Sequence, residues 1–586
     1  MTRASRQSPL HIMLINVHGL LRGHNPELGR DSDTGGQIVY VLELAKALDR
    51  DPAVGKIDVL TRQINDPEVD GDYRVAEESL GEKTTLLRLP CGPEKYLRKE
   101  LLWPHLDQMV DRCLVLLRER GRLPDLIHSH YADAGYVGRQ LSLLLGIPQI
   151  HTGHSLGRPK RARLLASGRK AEAIDRQYHF DRRIDAEEDV LYNASLVITS
   201  TRQEIDEQYG LYRNSDRPRF AVIPPGTDTE RFSAPGRRKL SERLLAQIDR
   251  FLSDHRKPII LTIARADARK NLGGLLAAFA GDRELRERAN LVIVAGSRAN
   301  IREMDSAQSR VLQDLLLDID LHDLWGSVAI PKEIAQEDIP DLYRLVARRH
   351  GVFVNSALTE PFGLTLIEAA ASGLPIIAPD DGGPRDIIAN CRNGVLVDTL
   401  SPEAIASALK STLGDQRQLE TWAANGLAAV QRHYSWAAHT KRYLKEVRDV
   451  MQRERKQARR RHQVWSGGKS TLPLVRDILI SDIDNTLIGD GDGLSELTAW
   501  LQARRGQVGF GIATGRTIDS TLKILKKWRV GVPDVLVTAV GSEIYYGPGC
   551  IADTGWSSHI RHLWRRDELA TAMTALPGLE LQAEAD

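Results

Sequence analysis

Cysteine is scarce in this chain: four in 586 residues, Cys91, Cys113, Cys391 and Cys550, far apart and without metal-type pairing. That spacing excludes a disulfide framework and a zinc module, and predicts reduced thiols in a cytoplasmic protein. Long hydrophobic runs are missing too: none approaches the roughly 18 residues of a membrane span. The start, Met1 to Pro9, is polar and leads directly into a strand pattern, unlike a secretory signal. Charge of one sign is also lacking. A net charge of +2 gives no reason to expect nucleic acid or acidic membranes as partners. Repeats and low-complexity tracts are not found. What is present, 42% hydrophobic and 27% charged residues, is the composition of a globular protein. The length calls for roughly two to four domains.

Short β-branched and Leu-rich runs alternate with helical patterns, which predicts parallel sheets in α/β domains. The first set runs from His11–Val17 to Phe220–Ile223 and closes at Pro224-Pro225-Gly226. The second runs from Pro258–Ala264 to Gly394–Asp398, with a helical tail to about Gln452. A third comprises Asp477–Ile483, read as a buried strand, then Val508–Ala513, Val535–Val540 and Glu543–Tyr546. Between the second and third lies a basic stretch. It reads as a solvated helix end and linker, because aromatic residues are not interleaved with its cations for stacking. The expected domains are residues 8–235, 236–452 and 474–586, with the linker at 453–473. Two similar α/β domains predict ligand binding in a cleft between them, beyond the carboxyl ends of the strands.

The segment Glu360-Pro-Phe-Gly363-Leu364-Thr-Leu-Ile-Glu368 joins a buried strand to an Ala-rich helix. Gly363 lets backbone approach a ligand, and the helix start offers N–H groups to a phosphate. The two carboxylates can accept hydrogen bonds from sugar hydroxyls on either side. Arg265 and Lys270 follow the strand Pro258–Ala264, where cations can neutralise a leaving diphosphate without a metal. Asp33-Thr34-Gly35-Gly36-Gln37 follows the first strand and opens a helix. It is neither the six-residue dinucleotide fingerprint nor a P-loop. His151-Thr-Gly-His154-Ser-Leu-Gly157 ends another strand, which lets His154 reach into the cleft.

Taken together, these motifs resemble glycosyltransferase family 4, retaining enzymes of the GT-B fold, over roughly residues 8–452. The resemblance implies an α/β protein with two Rossmann-like domains facing a cleft. By position, Arg265 and Lys270 would hold the donor diphosphate, Glu368 the ribose and Glu360 the donor hexose. Gly36 and the Gly363–Leu364 backbone would meet phosphate and sugar, and His154 would line the reacting centre. Lys99, Lys160, Arg183 and the Ser129–Asp133 stretch closely resemble the sucrose-phosphate synthase family, which moves glucose from a nucleotide sugar to fructose 6-phosphate. There the positions of Gln37, Lys99, Tyr131, Lys160 and Arg183 face the acceptor. The expected partners are UDP-glucose and fructose 6-phosphate, with no cofactor needed for transfer. A sucrose synthase using free fructose, a GDP-mannose-dependent transferase with the same acceptor and a non-catalytic scaffold remain open.

In the third set, Asp482 and Asp484 end one strand and Thr514 ends the next. This resembles the haloacid dehalogenase-like phosphatases, most closely the sucrose-phosphate phosphatases. The resemblance implies a nucleophile at Asp482, an acid/base at Asp484 and a phosphate ligand at Thr514. That family also needs a later lysine and a later acidic cluster, and neither is found from Pro548 to Asp586. The domain is therefore expected to be partial. Asp482 and Asp484 would form an incomplete metal site, with Mg2+ as its candidate ion. Phosphatase activity is not expected, and a separate sucrose-phosphate phosphatase is a candidate partner.

Overall fold

The structure is a computed structural model. It describes residues 9–464 and 475–578, apart from 28–29, 32, 237–238, 297, 299, 305, 476, 505–506, 548, 554–555, 558–559, 561–565, 575 and 577. Contacts divide the chain into two compact units. One comprises Met1–Ile198, Gln208–Ala221 and Glu446–Asp586, and the other Thr199–Glu207 and Val222–Lys445.

The first sheet has eight strands: β1 (Leu10–Ile15), β2 (Val54–Arg62), β3 (Glu77–Ser79), β4 (Thr84–Leu89), β5 (Leu126–His130), β6 (Gln149–Thr152), β7 (Leu196–Thr199) and β8 (Arg219–Val222). Their order is β3-β4-β2-β1-β5-β6-β7-β8. The paired registers are parallel from β4 through β7, while β3 joins β4 antiparallel. The order reverses between β1 and β5. This is the switch point beyond whose carboxyl edge ligands bind in open α/β sheets.

The second sheet has β9 (Ile259–Ile263), β10 (Asn290–Val294), β11 (Val328–Ala329), β12 (Val352–Val354), β13 (Ile376–Pro379) and β14 (Gly394–Val397), ordered β11-β10-β9-β12-β13-β14 and parallel in its paired registers. Its switch point lies between β9 and β12. Its inner strands are buried on both faces, and they are mainly apolar runs. Ile259, Leu261, Val292 and Phe353 pack into one core, and Ile260, Leu291, Ile293 and Val352 into another.

The third sheet is β15 (Asp477–Ser481), β16 (Val508–Ala513), β17 (Val535–Thr538), β18 (Glu543–Tyr546) and β19 (Ile551–Ala552), in sequence order. Here the buried-strand expectation fails. Strand β15 sits at the sheet's edge and pairs only with β16 among the described residues, leaving Ile478 45% and Ile480 51% exposed. Apolar content foretells burial only when a neighbour exists to cover it. The helix expected to end near Gln452 runs from Trp436 to Val464, through much of the basic stretch. Residues 465–473 of the expected linker lie outside the described residues.

Candidate active site

Two clusters of candidate residues form, one at each switch point. In the first unit, β1 and β5 end in a dense polar cluster. The His18 Nδ1 lies 2.7 Å from Asp133 Oδ2, and Gln37 Nε2 donates to Asn16 Oδ1 at 2.6 Å. Tyr131, the first residue after β5, is 6% exposed and has φ 77°, a left-handed conformation that costs a bulky residue energy. That backbone aims its ring under the Arg183 guanidinium, 4.5 Å from the ring centroid.

The cations expected around an acceptor phosphate do converge. Lys99, Glu100, Tyr131, Asp133, Tyr178 and Arg183 line one small pocket. The Lys160 ammonium lies 4.4 Å over the Tyr178 ring. Its pKa is pulled down to about 8, first by desolvation, then by the neighbouring charges of Lys99 and Arg183. Lys99 is held by Asp33 through its ammonium and, at 2.9 Å, through its backbone N–H. Burial alone would raise the Asp33 pKa, but these bonds outweigh it and hold the carboxyl below its usual range. The cluster thus carries counter-carboxylates that motif reading did not supply. Lys99 and Asp33 are 66 residues apart, and no local pattern links them.

His154, two residues beyond β6, has φ 55°, its Nε2 3.0 Å from His130 Nδ1 and its ring edge-on to Tyr40. Desolvation, followed by His151 and His18, pulls its pKa down to about 3, so it is a neutral imidazole at neutral pH. Gly36 begins the helix Gly36–Asp49, with Gly35 as its cap. A Cβ built on either glycine meets no atom within 4 Å, so packing does not demand them.

In the second unit, the loops after β9 and β12 carry the donor candidates. Lys270 Nζ donates to Glu360 Oε2 at 2.6 Å, and Asn355 Nδ2 reaches the same oxygen at 2.9 Å. Asp267 clamps Arg269 through Nε at 3.1 Å and Nη2 at 2.6 Å. The neighbouring Arg265 is exposed and makes no ion pair among the described residues, so its guanidinium is available to an anion. Gly363, with φ 99°, caps the helix Leu364–Ala371, and exposed Leu364 is its first residue. Glu368, inside that helix, accepts from the Tyr343 hydroxyl at 3.2 Å. Burial pushes its pKa up to about 7. Gly383 answers to packing instead: a Cβ there would lie 2.2 Å from the Phe362 carbonyl oxygen.

In the third sheet, Asp482 and Asp484 lie in the turn region after β15, and Thr514 follows β16. Arg516 clamps Asp484, Nε to Oδ2 at 2.9 Å and Nη2 to Oδ1 at 2.7 Å, and this holds its carboxyl below the usual range. Among the described residues no group of three or more His, Cys, Asp or Glu is arranged to hold a metal ion. Two carboxylates, one of them occupied by a guanidinium, do not fit Mg2+ by themselves.

Family models match three stretches: "Sucrose synthase first GT-B domain" at residues 7–239, "Glycosyl transferases group 1" at 246–428 and "Sucrose-6F-phosphate phosphohydrolase" at 475–586. With parallel sheets carrying cationic loops at both switch points, they define a GT-B glycosyltransferase with a haloacid dehalogenase-like region at its C-terminal end. Sucrose-phosphate synthase 4 of Arabidopsis thaliana is 36% identical over 98% of this chain and 67% of its own length. The chain belongs to the sucrose-phosphate synthase family. The Zea mays sucrose-phosphate synthase is 43% identical over 76% of the chain but only 48% of its own length. The chain thus spans about half the length of several curated relatives. The solved sucrose-phosphate synthase of Thermosynechococcus elongatus superimposes with a TM-score of 0.57 at 28% identity, covering 75% of this chain and 99% of that one. No described helix is long and apolar enough to cross a membrane.

Proposed function

We propose that this protein is a retaining hexosyltransferase that moves glucose from UDP-glucose to fructose 6-phosphate, giving sucrose 6-phosphate. The observation that carries the reading is the gathering of Lys99, Lys160 and Arg183 about one pocket at the β1/β5 switch point. Three cations around a small pocket suit a phosphate dianion, and a free sugar has no use for them. On the donor side, Arg265 and Lys270 supply the positive charge that grows in value as the sugar–phosphate bond breaks. Glu368 receives the ribose hydroxyls and Glu360 those of the hexose. No metal is assigned to the transfer step. The acceptor hydroxyl attacks C1 from the face the diphosphate leaves. The C1–O bond to the phosphate breaks as the new C1–O bond forms, and the hydroxyl proton passes to the departing phosphate oxygen. His154, neutral, lines the reacting centre as a hydrogen-bonding group rather than a charge.

The Arg516 clamp on Asp484 supports a second part of the reading: this chain does not hydrolyse sucrose 6-phosphate, and a separate phosphatase completes that step. Product analysis tests both. UDP-glucose with fructose 6-phosphate yields sucrose 6-phosphate, which persists when Mg2+ is added. Free sucrose from free fructose would move the assignment to a sucrose synthase, and faster transfer from GDP-mannose to the mannosyl alternative. Phosphate release with Mg2+ would overturn the second part.

A further inference from the structure

The acceptor cations sit on separate helices, and something must hold them in register. Arg183 lies on the helix Phe180–Asn193, while Lys160 lies on the helix Gly157–Ala166. One carboxylate touches both. Glu187, one turn beyond Arg183 and 3% exposed, accepts from Arg183 Nε at 2.9 Å. The same carboxylate accepts from the Gly157 N–H at 3.0 and 3.1 Å, the first residue of the Lys160 helix. The Tyr212 hydroxyl donates to its other oxygen and accepts from the Arg158 N–H at 3.0 Å. Gly157 is what permits this approach: a Cβ there would stand 2.8 Å from Glu187 Oε2. The final glycine of the Gly-His-Ser-Leu-Gly motif thus makes room for a buried carboxylate rather than for a ligand.

Two consequences follow for the anion. The first N–H groups of the Lys160 helix are already satisfied by Glu187 and Tyr212, so that helix start does not bind the phosphate and the side chains must. Arg183 is also fixed on two sides. Glu187 takes Nε and the Ser155 carbonyl takes Nη2 at 2.7 Å, while Nη1 makes no hydrogen bond among the described residues and keeps its protons for a ligand.

We infer that Glu187 is a positioning residue for the acceptor phosphate: it locks the Arg183 guanidinium and the Lys160 helix into one anion-binding geometry without touching the substrate. The inference rests on the fructose 6-phosphate reading above. Its alternative predicts the opposite sign. If Glu187 were only a competing counter-charge, its removal would strengthen phosphate binding.

The test is Glu187→Gln, with Glu187→Asp as the charge-keeping companion. Kinetics are measured against fructose 6-phosphate and UDP-glucose separately, with inorganic phosphate as competing anion. The expected result for Glu187→Gln is an approximately tenfold rise in KM for fructose 6-phosphate and an equal rise in the phosphate inhibition constant. The KM for UDP-glucose and kcat should stay within about twofold. Glu187→Asp should recover part of the loss, and Glu187→Gln should add little to Arg183→Lys, because the two act as one unit. An unchanged or lowered KM in folded Glu187→Gln, while phosphate still competes in the unmodified protein, overturns the positioning role alone. Failure of phosphate to compete with the acceptor in the unmodified protein overturns the acceptor reading and this inference together.

Discussion

Raising the pH should release the acceptor through one residue, Lys160. Its ammonium is packed over Tyr178, where burial and then the nearby charges of Lys99 and Arg183 disfavour it, and Glu100 and Asp33 only partly offset the cost. The result is a pKa near 8, inside the range in which an enzyme can be assayed. A lysine binds phosphate only when protonated, so binding is intact below that pKa and is lost as pH rises through it. The charged fraction is about 0.9 at pH 7 and about 0.1 at pH 9 for a pKa of about 8. The acceptor phosphate, with its second pKa of about 6, is already a dianion over that span. If only charged Lys160 binds it productively, kcat/KM for fructose 6-phosphate should fall about tenfold from pH 7 to pH 9. This ratio reports the free enzyme's pKa. Initial rates at limiting fructose 6-phosphate with saturating UDP-glucose provide the assay. Lys160→Arg, whose guanidinium stays charged, should flatten the profile, and Lys160→Met should be low and flat. A wild-type profile level to pH 9, superimposable on that of Lys160→Arg, would refute the reasoning.

Three further outcomes are expected. Lys270→Ala removes the ammonium beside Glu360 and should lower kcat by about 10²–10³, while UDP still binds, as calorimetry can show. Glu368, its pKa raised to about 7 by burial, accepts ribose hydroxyls best when ionised, so UDP affinity should rise as pH increases through 7. The same titration of Glu368→Gln should be flat. Gly383→Ala places a Cβ against the Phe362 backbone and should cost about 1–3 kcal/mol in a denaturant titration. It should also raise the donor KM, because the displaced segment carries Glu360. An Ala variant with unaltered midpoint and donor KM would show that the loop yields without consequence.

Legibility in this chain followed burial. Strands β9, β10, β12 and β13 are covered on both faces, so each is a short, mainly apolar run and stood out at once. The short strand Glu77–Ser79 did not: it is a polar edge strand with one antiparallel partner and no side-chain signal to find. Strand β15 misled in the other direction, apolar in sequence yet exposed at an edge. Among site residues, those on loops after strands were readable because glycines and clustered cations mark such loops. The pairing of these residues with Asp33, Glu187, Asn355 and Tyr343 was not. Each is an ordinary acid, amide or phenol whose meaning comes from what lies beside it.

The chain's order of residues determined by itself that three α/β segments follow one another, that two carry cationic or glycine-marked loops at strand ends, and which residues those loops offer. These are local properties, set by periodicity, turn chemistry and composition, and so they survive without a fold. Tertiary structure alone decided how the offered charges are used. It set Asp33 on Lys99, Glu360 on Lys270, Asp267 on Arg269 and Arg516 on Asp484, and it left Arg265 without an ion pair among the described residues. It buried Lys160 and set it near Lys99 and Arg183, which together bring its pKa down to about 8. A charge's effect depends on distance and desolvation, and both are settled only when the chain has packed.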